Sequence, residues 1–287
     1  MFEQAKPFWQ NFRDNLRSMT RENTNLRMRI ARHRQRLEEL SIGKVLPSGL
    51  TLLGLCSGAT AIRFSLMQEW KAAVAAIVCA MVFDMLDGRA ARFFGADSRF
   101  GTQLDSLADL VSFGLAPAIV VYTWSLSQLG AVGWAVLLVF CACSAIRLAR
   151  FNVQTARDEG ATHFDPYFVG LPTPAAAGIM ILPLLLNFEF DNGFGRNPYL
   201  CAAIGAATAA LMVSRTPMPS LKYLRFNRDR WIWIVVLTAA LALMAIFAPW
   251  TTLVLGVVIY LGTIPVVIRR SHLGGARKPR PAADGRH

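Results

Sequence analysis

The chain has 287 residues, of which 54% are hydrophobic and 17% charged, with a formal net charge of +12 and a mean hydropathy of +0.39. Such a composition excludes an ordinary water-soluble domain and places the chain in the membrane class. The positive charge would also suit nucleic acid, so the position of the cations has to decide between the two.

Residues 1–44 are polar and basic, with Arg27, Arg29, Arg32, Arg34 and Arg36 crowded together. They lack the apolar core of a signal peptide and read as a cytoplasmic arm, either lying on anionic headgroups or solvated. From Val45 onward, apolar stretches alternate with short polar turns near 45–67, 71–93, 102–126, 131–150, 171–189, 198–214, 231–249 and 251–268. A span needs roughly 20 residues, so the expected fold is all-α, a polytopic transmembrane helical bundle of about eight spans. Its divisions are the basic arm 1–44, a core over 45–214, a basic loop 215–230, a C-terminal helix pair 231–270 and a tail 271–287. With a cytoplasmic N-terminus, every Lys and Arg except Arg63, Lys71 and Arg196 falls in or beside a cytoplasmic segment. That bias sets the orientation in a cell membrane and explains the net charge without nucleic acid.

The stretch Phe83–Gly114, FDMLDGRAARFFGADSRFGTQLDSLADLVSFG, puts Asp84, Asp87, Asp105 and Asp109 in or beside apolar segments. Ionised groups there are rare and mark function. On a helix, Asp84, Asp87, Gly88 and Ala91 share one stripe, and Gly101, Asp105 and Asp109 share another. Two helices joined by a polar turn can therefore present four carboxylates to each other. Like charges so close are tolerated as anions only with a cation among them. Hard oxygen donors without His or Cys point to a pair of magnesium or manganese ions. Gly88 and Ala91 leave the stripe without bulk, and Arg92 offers charge-assisted bonds to phosphate oxygens. The competing reading is that the small residues merely pack helices and that Arg92 anchors a helix end; the four aligned Asp residues favour a phosphorylated ligand.

Cys56, Cys79, Cys141, Cys143 and Cys201 all fall in apolar spans without zinc-type spacing, and are expected as small buried hydrophobes. His33, His163, His272 and His287 are scattered and form no triad pattern.

The run D-x-x-D-G-x-x-A-R, eight residues, then G-x-x-x-D-x-x-x-D is met by Asp84, Asp87, Gly88, Ala91, Arg92, Gly101, Asp105 and Asp109. It resembles the signature of the CDP-alcohol phosphotransferase family. Further likeness, to the serine-accepting branch, lies in LDSLADLVSFGLAPA at 104–118, RLARFN at 147–152 and GLPTPA at 170–175. The resemblance implies a membrane enzyme, a homodimer, that moves the phosphatidyl group of CDP-diacylglycerol to the hydroxyl of L-serine and releases CMP. It further implies that Asp84, Asp87 and Asp105 hold one metal ion, that Asp84, Asp105 and Asp109 bound a second, and that Asp109 is the general base. The family's nucleotide contacts map onto Gly88, Arg92, Ser98, Ser48 and Thr51; Ser48 stands where the family's Pro-Asn-x-x-Thr has Asn.

Phosphoryl transfer needs positioning and charge neutralisation more than covalent help. Direct displacement, with one carboxylate taking the acceptor proton, is the simpler route, and a covalent Asp intermediate is the other. An acceptor bearing its own phosphate, such as glycerol phosphate or inositol phosphate, would favour extra cations near Asp109, where Leu110, Val111 and Ser112 follow instead. Choline is a further acceptor to weigh. A serine carboxylate still needs a cation, and Arg147 and Arg150, with Asn152 nearby, are the candidates; headgroup anchoring is the other role open to both Arg residues. From a different class, intramembrane carboxylates also mark ion-coupled transporters. Metal-dependent CMP binding distinguishes the enzyme from substrate flux without CMP release.

Overall fold

The computed structural model describes residues 42–95, 98–158, 168–190, 194–214, 217–218, 244 and 247–274. The arm over residues 1–41, most of the 215–230 loop, most of the span expected at 231–249 and the tail beyond 274 lie outside the described residues.

Apart from one two-residue strand pair, regular structure among the described residues is helical, as the apolar periodicity predicts. The first two helices, α1 (Ile42–Leu66) and α2 (Trp70–Phe94), form an antiparallel hairpin through a turn in which Gln68 takes a positive φ of 61°. They are locked face to face where Ser57 Oγ donates to the carbonyl of Ala76, 2.8 Å away. Such polar cross-links, with close packing of small residues, hold helices together where burial from water supplies no drive.

The third span is not one uniform helix. It runs as α3 (Arg99–Asp109), a π-helical segment Leu110–Leu115, and α4 (Ala116–Trp124). The wide turn is closed by the Ala116 N–H, which donates to the carbonyl of Val111, five residues back. Pro117 follows at once. It has no N–H to give and its ring would crowd the carbonyl four residues earlier; the wider π turn relieves that crowding without breaking the span.

Next come α5 (Ala131–Asp158), α6 (Thr173–Phe190), α7 (Pro198–Val213) and α8 (Pro249–Gly274). Asn197 caps α7 by accepting from the N–H groups of Tyr199 and Leu200, so the chain turns back tightly. The short strands β1 (Phe168–Val169) and β2 (Pro217–Met218) pair antiparallel, a tie between loops that the helical patterning did not show. The core is filled by Phe140, Leu126, Leu171, Met180, Leu184, Leu185 and Met212, and α8 packs along α6.

Among the described residues, four segments are long and apolar enough to cross a membrane: Val45–Leu66, Arg99–Trp124, Ala131–Gln154 and Thr173–Phe190. Helix α2 is equally long, about 37 Å at 1.5 Å per residue, but Asp84, Asp87, Arg89 and Arg92 make its second half polar. Helix α7 and the apolar part of α8, Pro249–Pro265, are shorter. The chain is a polytopic helical membrane protein. One expectation needs correcting. Cys201 is buried and Cys141 and Cys143 are half-buried, but Cys56 and Cys79 are exposed on the outer faces of α1 and α2. In an apolar solvent such a position costs a small, weakly polar side chain little.

Candidate active site

The junction between α2 and α3 is built by its two ends. Gly95 stops α2 in the left-handed conformation, φ 58°, and its N–H donates to the carbonyl of Ala91; this geometry is open to glycine at no steric cost. Ser98 starts α3, its Oγ accepting from the Gly101 N–H at 3.0 Å. The carboxylates of the second half of α2 and of α3 converge, so the stripes read from the sequence face each other across an open groove lined from both helices.

Asp84, Asp105 and Asp109 each bring one carboxylate oxygen into a group whose members lie within 4.8 Å of one another. Asp87 lines the same small cavity with Thr51, Gly54, Ala80, Ala108, Ser112 and Phe113. It is only 5% exposed. Thr51 and the Gly88 backbone sit beside its carboxylate, yet its Oδ2 is buried with no hydrogen-bond partner among the described residues. Clustered hard donors and an orphaned carboxylate oxygen fit a divalent cation with oxygen ligands. His and Cys take no part in the cluster, and softer metals have nothing to prefer there.

Beside the cavity, and sharing Thr51, Asp87 and Asp105 with it, is a groove of about 270 Å³ lined also by Pro47, Ser48, Gly88, Ala91, Arg92, Ser98, Gly101 and Thr102. All the residues expected to contact the nucleotide are on this wall. A Cβ at Gly88 would meet nothing within 4 Å, so the glycine leaves open space in the groove rather than room for a neighbouring helix. This observation weakens the packing explanation for Gly88. Arg92 is exposed, and its Nε donates to the Gly88 carbonyl at 2.9 Å, which aims the guanidinium along the groove edge while the other N–H donors remain for a ligand.

The three acceptor-side candidates separate. Arg147, on α5, is half-buried, donates through Nη1 to Thr173 Oγ1 at the start of α6, and lies within electrostatic reach of Asp109. Its Nε is buried without a partner among the described residues. Asn152 is tied to α3, where Ser106 Oγ, next in sequence to Asp105, donates to its Oδ1 at 3.0 Å. Arg150 goes elsewhere: its Nη1 donates to the carbonyl of Val213 at the C-terminal end of α7, a favourable place for a cation. No contact joins Arg150 to the carboxylates.

Sequence reasoning missed Thr173, Ser112 and Tyr260. Thr173 was inside a quoted motif, GLPTPA, but nothing marked its hydroxyl as Arg147's acceptor. Ser112 looked like one more residue of an apolar span, whereas its hydroxyl donates to the Gly54 carbonyl at 3.1 Å. Tyr260, on α8, had no local signal at all.

Fold and site together define an integral-membrane protein with an Asp cluster of hard oxygen donors beside a groove that carries Arg92. The family profile of CDP-alcohol phosphatidyltransferases matches residues 44–215; the chain belongs to that family and is an enzyme. Enzymes of the family are generally dependent on divalent metal. The chain is 37% identical over 225 residues to the CDP-diacylglycerol–serine O-phosphatidyltransferase of Mycobacterium leprae (strain TN), covering 78% of this chain and 75% of the relative. It is 33% identical over 191 residues to the Helicobacter pylori (strain ATCC 700392 / 26695) protein of the same name, over 66% and 78% of the two chains. The protein of that name from Methanocaldococcus jannaschii is 33% identical over 198 residues, 69% of this chain and 82% of the relative.

Proposed function

We propose that the protein transfers the phosphatidyl group of CDP-diacylglycerol to the hydroxyl of L-serine, forming phosphatidylserine and releasing CMP. The observation that carries this reading is the convergence of Asp84, Asp105 and Asp109 on the end of a groove walled by Gly88, Arg92 and Ser98. The choice of serine is supported by the names of the relatives and by Arg147, a permanent cation within electrostatic reach of Asp109.

Asp84, Asp87, Asp105 and Asp109 would hold two magnesium or manganese ions, which when bound neutralise the diphosphate and stabilise the charge that develops on it. Arg92 pairs with phosphate oxygens from the groove edge. Gly88 and Ala91 let the diphosphate approach the α2 backbone, and Ser48, Thr51 and Ser98 offer hydroxyl groups along the nucleotide. Asp109 takes the proton of the serine hydroxyl as the serine oxygen bonds to the lipid-side phosphorus. The bond from that phosphorus to the bridging oxygen breaks, and CMP leaves with the bridging oxygen. Arg147 holds the acceptor carboxylate, and Asn152 shapes the same side through Ser106.

The same reading places the site at the cytoplasmic face of a prokaryotic cell membrane, with both termini cytoplasmic and the enzyme acting as a homodimer. The core over 45–214 would carry the chemistry, with the basic arm, the 215–230 loop, the C-terminal helix pair and the tail around it. The decisive assay gives purified protein CDP-diacylglycerol with serine, inositol phosphate, glycerol phosphate or choline in turn. Serine-dependent CMP release with phosphatidylserine as product is expected; CMP release with another of these acceptors, and none with serine, would overturn the assignment.

A further inference from the structure

Helix α8 lies beyond the stretch matched by the family profile, which ends at residue 215, yet it docks on the core through a regular face. Leu253, Val254, Val257, Leu261 and Ile264 pack there at helical spacing, and Val257 Cγ2 comes so close to α6 that a Cβ on Gly178 would stand 3.2 Å from it. Tyr260 falls in the middle of this apolar stripe.

Its hydroxyl is buried and, among the described residues, has no hydrogen-bond partner. A buried hydroxyl without a partner is costly, and phenylalanine would fill the same space without that cost. The oxygen therefore calls for a reason beyond packing. Tyr260 lies within electrostatic reach of Arg147, whose Nε is likewise buried and unpaired, and Arg147 is within reach of Asp109. A guanidinium can only donate, and a phenol donates readily. Trp250 meets Phe188 and Val257 meets Gly178, so α8 runs antiparallel to α6 and Tyr260, a turn further on, comes level with the start of α6, where Thr173 accepts from Arg147. Two unsatisfied donors in that one region, on the Asp109 side of Arg147, suit an acceptor-rich anion placed between them.

We propose that Tyr260, delivered by the C-terminal helix, is an acceptor-binding residue that works with Arg147 to hold the carboxylate of the acceptor beside Asp109. This inference rests on the serine reading above and adds a residue from outside the family core. It gives α8 a role in choosing the acceptor, where a bare membrane anchor would have none.

The test is Tyr260→Phe in the full-length enzyme, assayed for CMP release while serine and CDP-diacylglycerol are varied separately. Loss of one hydrogen bond to a charged group should raise the KM for serine about tenfold, with the KM for CDP-diacylglycerol and kcat within twofold of wild type and the melting temperature no lower than wild type. Leu261→Ala, beside it on the packing face, is the structural control: it should lower the melting temperature and leave the serine KM unchanged. Combined with Arg147→Lys, Tyr260→Phe should add less than its separate effect, because both would act on one carboxylate. An unchanged serine KM in Tyr260→Phe, or equal rises in both KM values, would overturn the proposal. Failure of the parent reading looks different, since wild-type enzyme would then release no CMP with serine.

Discussion

The hydroxyl of Ser112 reaches across from the π-helical segment to the carbonyl of Gly54 on α1, 3.1 Å away, one turn beyond Asp109. Glycine at position 58, one turn further along α1, lets the two backbones approach: a Cβ there would fall 2.6 Å from the Ser112 Cα and against its Oγ. On the opposite side, a Cβ at Gly114 would fall 2.9 Å from Ser144 Oγ on α5. The π segment is thus clasped between two helices immediately after the proposed base. Its register decides where Asp109 points.

Gly58→Ala should therefore disturb the site from a distance. The obstructing atoms belong to backbone as well as side chain, so the helices must shift rather than a rotamer. The expected result is a clear fall in melting temperature and about a tenfold or greater loss of kcat, read by differential scanning fluorimetry and CMP release. Normal turnover in Gly58→Ala would show that Asp109 is positioned by α3 alone.

Gly88 makes the opposite prediction. It sits in the α2 interior with open space where a side chain would be, so Gly88→Ala should fold at least as well as wild type and gain up to about 1 kcal/mol from helix propensity. Gly88→Leu should fold too, but fill the groove and raise the KM for CDP-diacylglycerol about tenfold or more. A Leu variant with ordinary lipid-nucleotide kinetics would take Gly88 out of the substrate path.

The carboxylates should separate by role. Asp109→Asn, which removes the base as well as one metal ligand, should cut kcat by about 10² to 10⁴, and high manganese should not restore it, while the protein still binds CMP. Asp84→Asn should instead weaken metal affinity, so that part of its lost activity returns at high manganese. Titrating CMP release against metal concentration distinguishes the two. Identical behaviour of both variants would argue against a distinct base.

Removing divalent metal with EDTA should abolish CMP release, and magnesium or manganese should restore it. Zinc should restore little, because it favours four-coordinate tetrahedral sites with nitrogen or sulfur donors, whereas magnesium and manganese suit carboxylate oxygen. Turnover that persists in rigorously chelated enzyme would contradict the cation reading of the Asp cluster.

Arg92 is held at Nε by the Gly88 carbonyl, which presets the guanidinium for bidentate binding. Arg92→Lys keeps the charge but loses the fork. It should raise the KM for CDP-diacylglycerol several-fold and leave the serine KM alone, as measured by varying each substrate in turn.

Much of this protein was written in the order of its residues. The apolar stretches set the helices because a bilayer leaves the backbone no other partner than itself. The spacing of Asp84, Asp87, Gly88, Asp105 and Asp109 put the reactive groups on two facing stripes because helical periodicity is local. What sequence could not supply was every relationship between helices far apart along the chain. Arg147 and Arg150 looked equivalent three positions apart, yet Arg147 bonds to Thr173 beside the site and Arg150 to Val213 at the end of α7. Ser112 and Gly54 meet across 58 positions, and Tyr260 comes within reach of Arg147 only after α8 docks. Periodicity determines which face a residue occupies, but the choice of neighbour depends on how closely whole helices can approach, and only the packed bundle decides that.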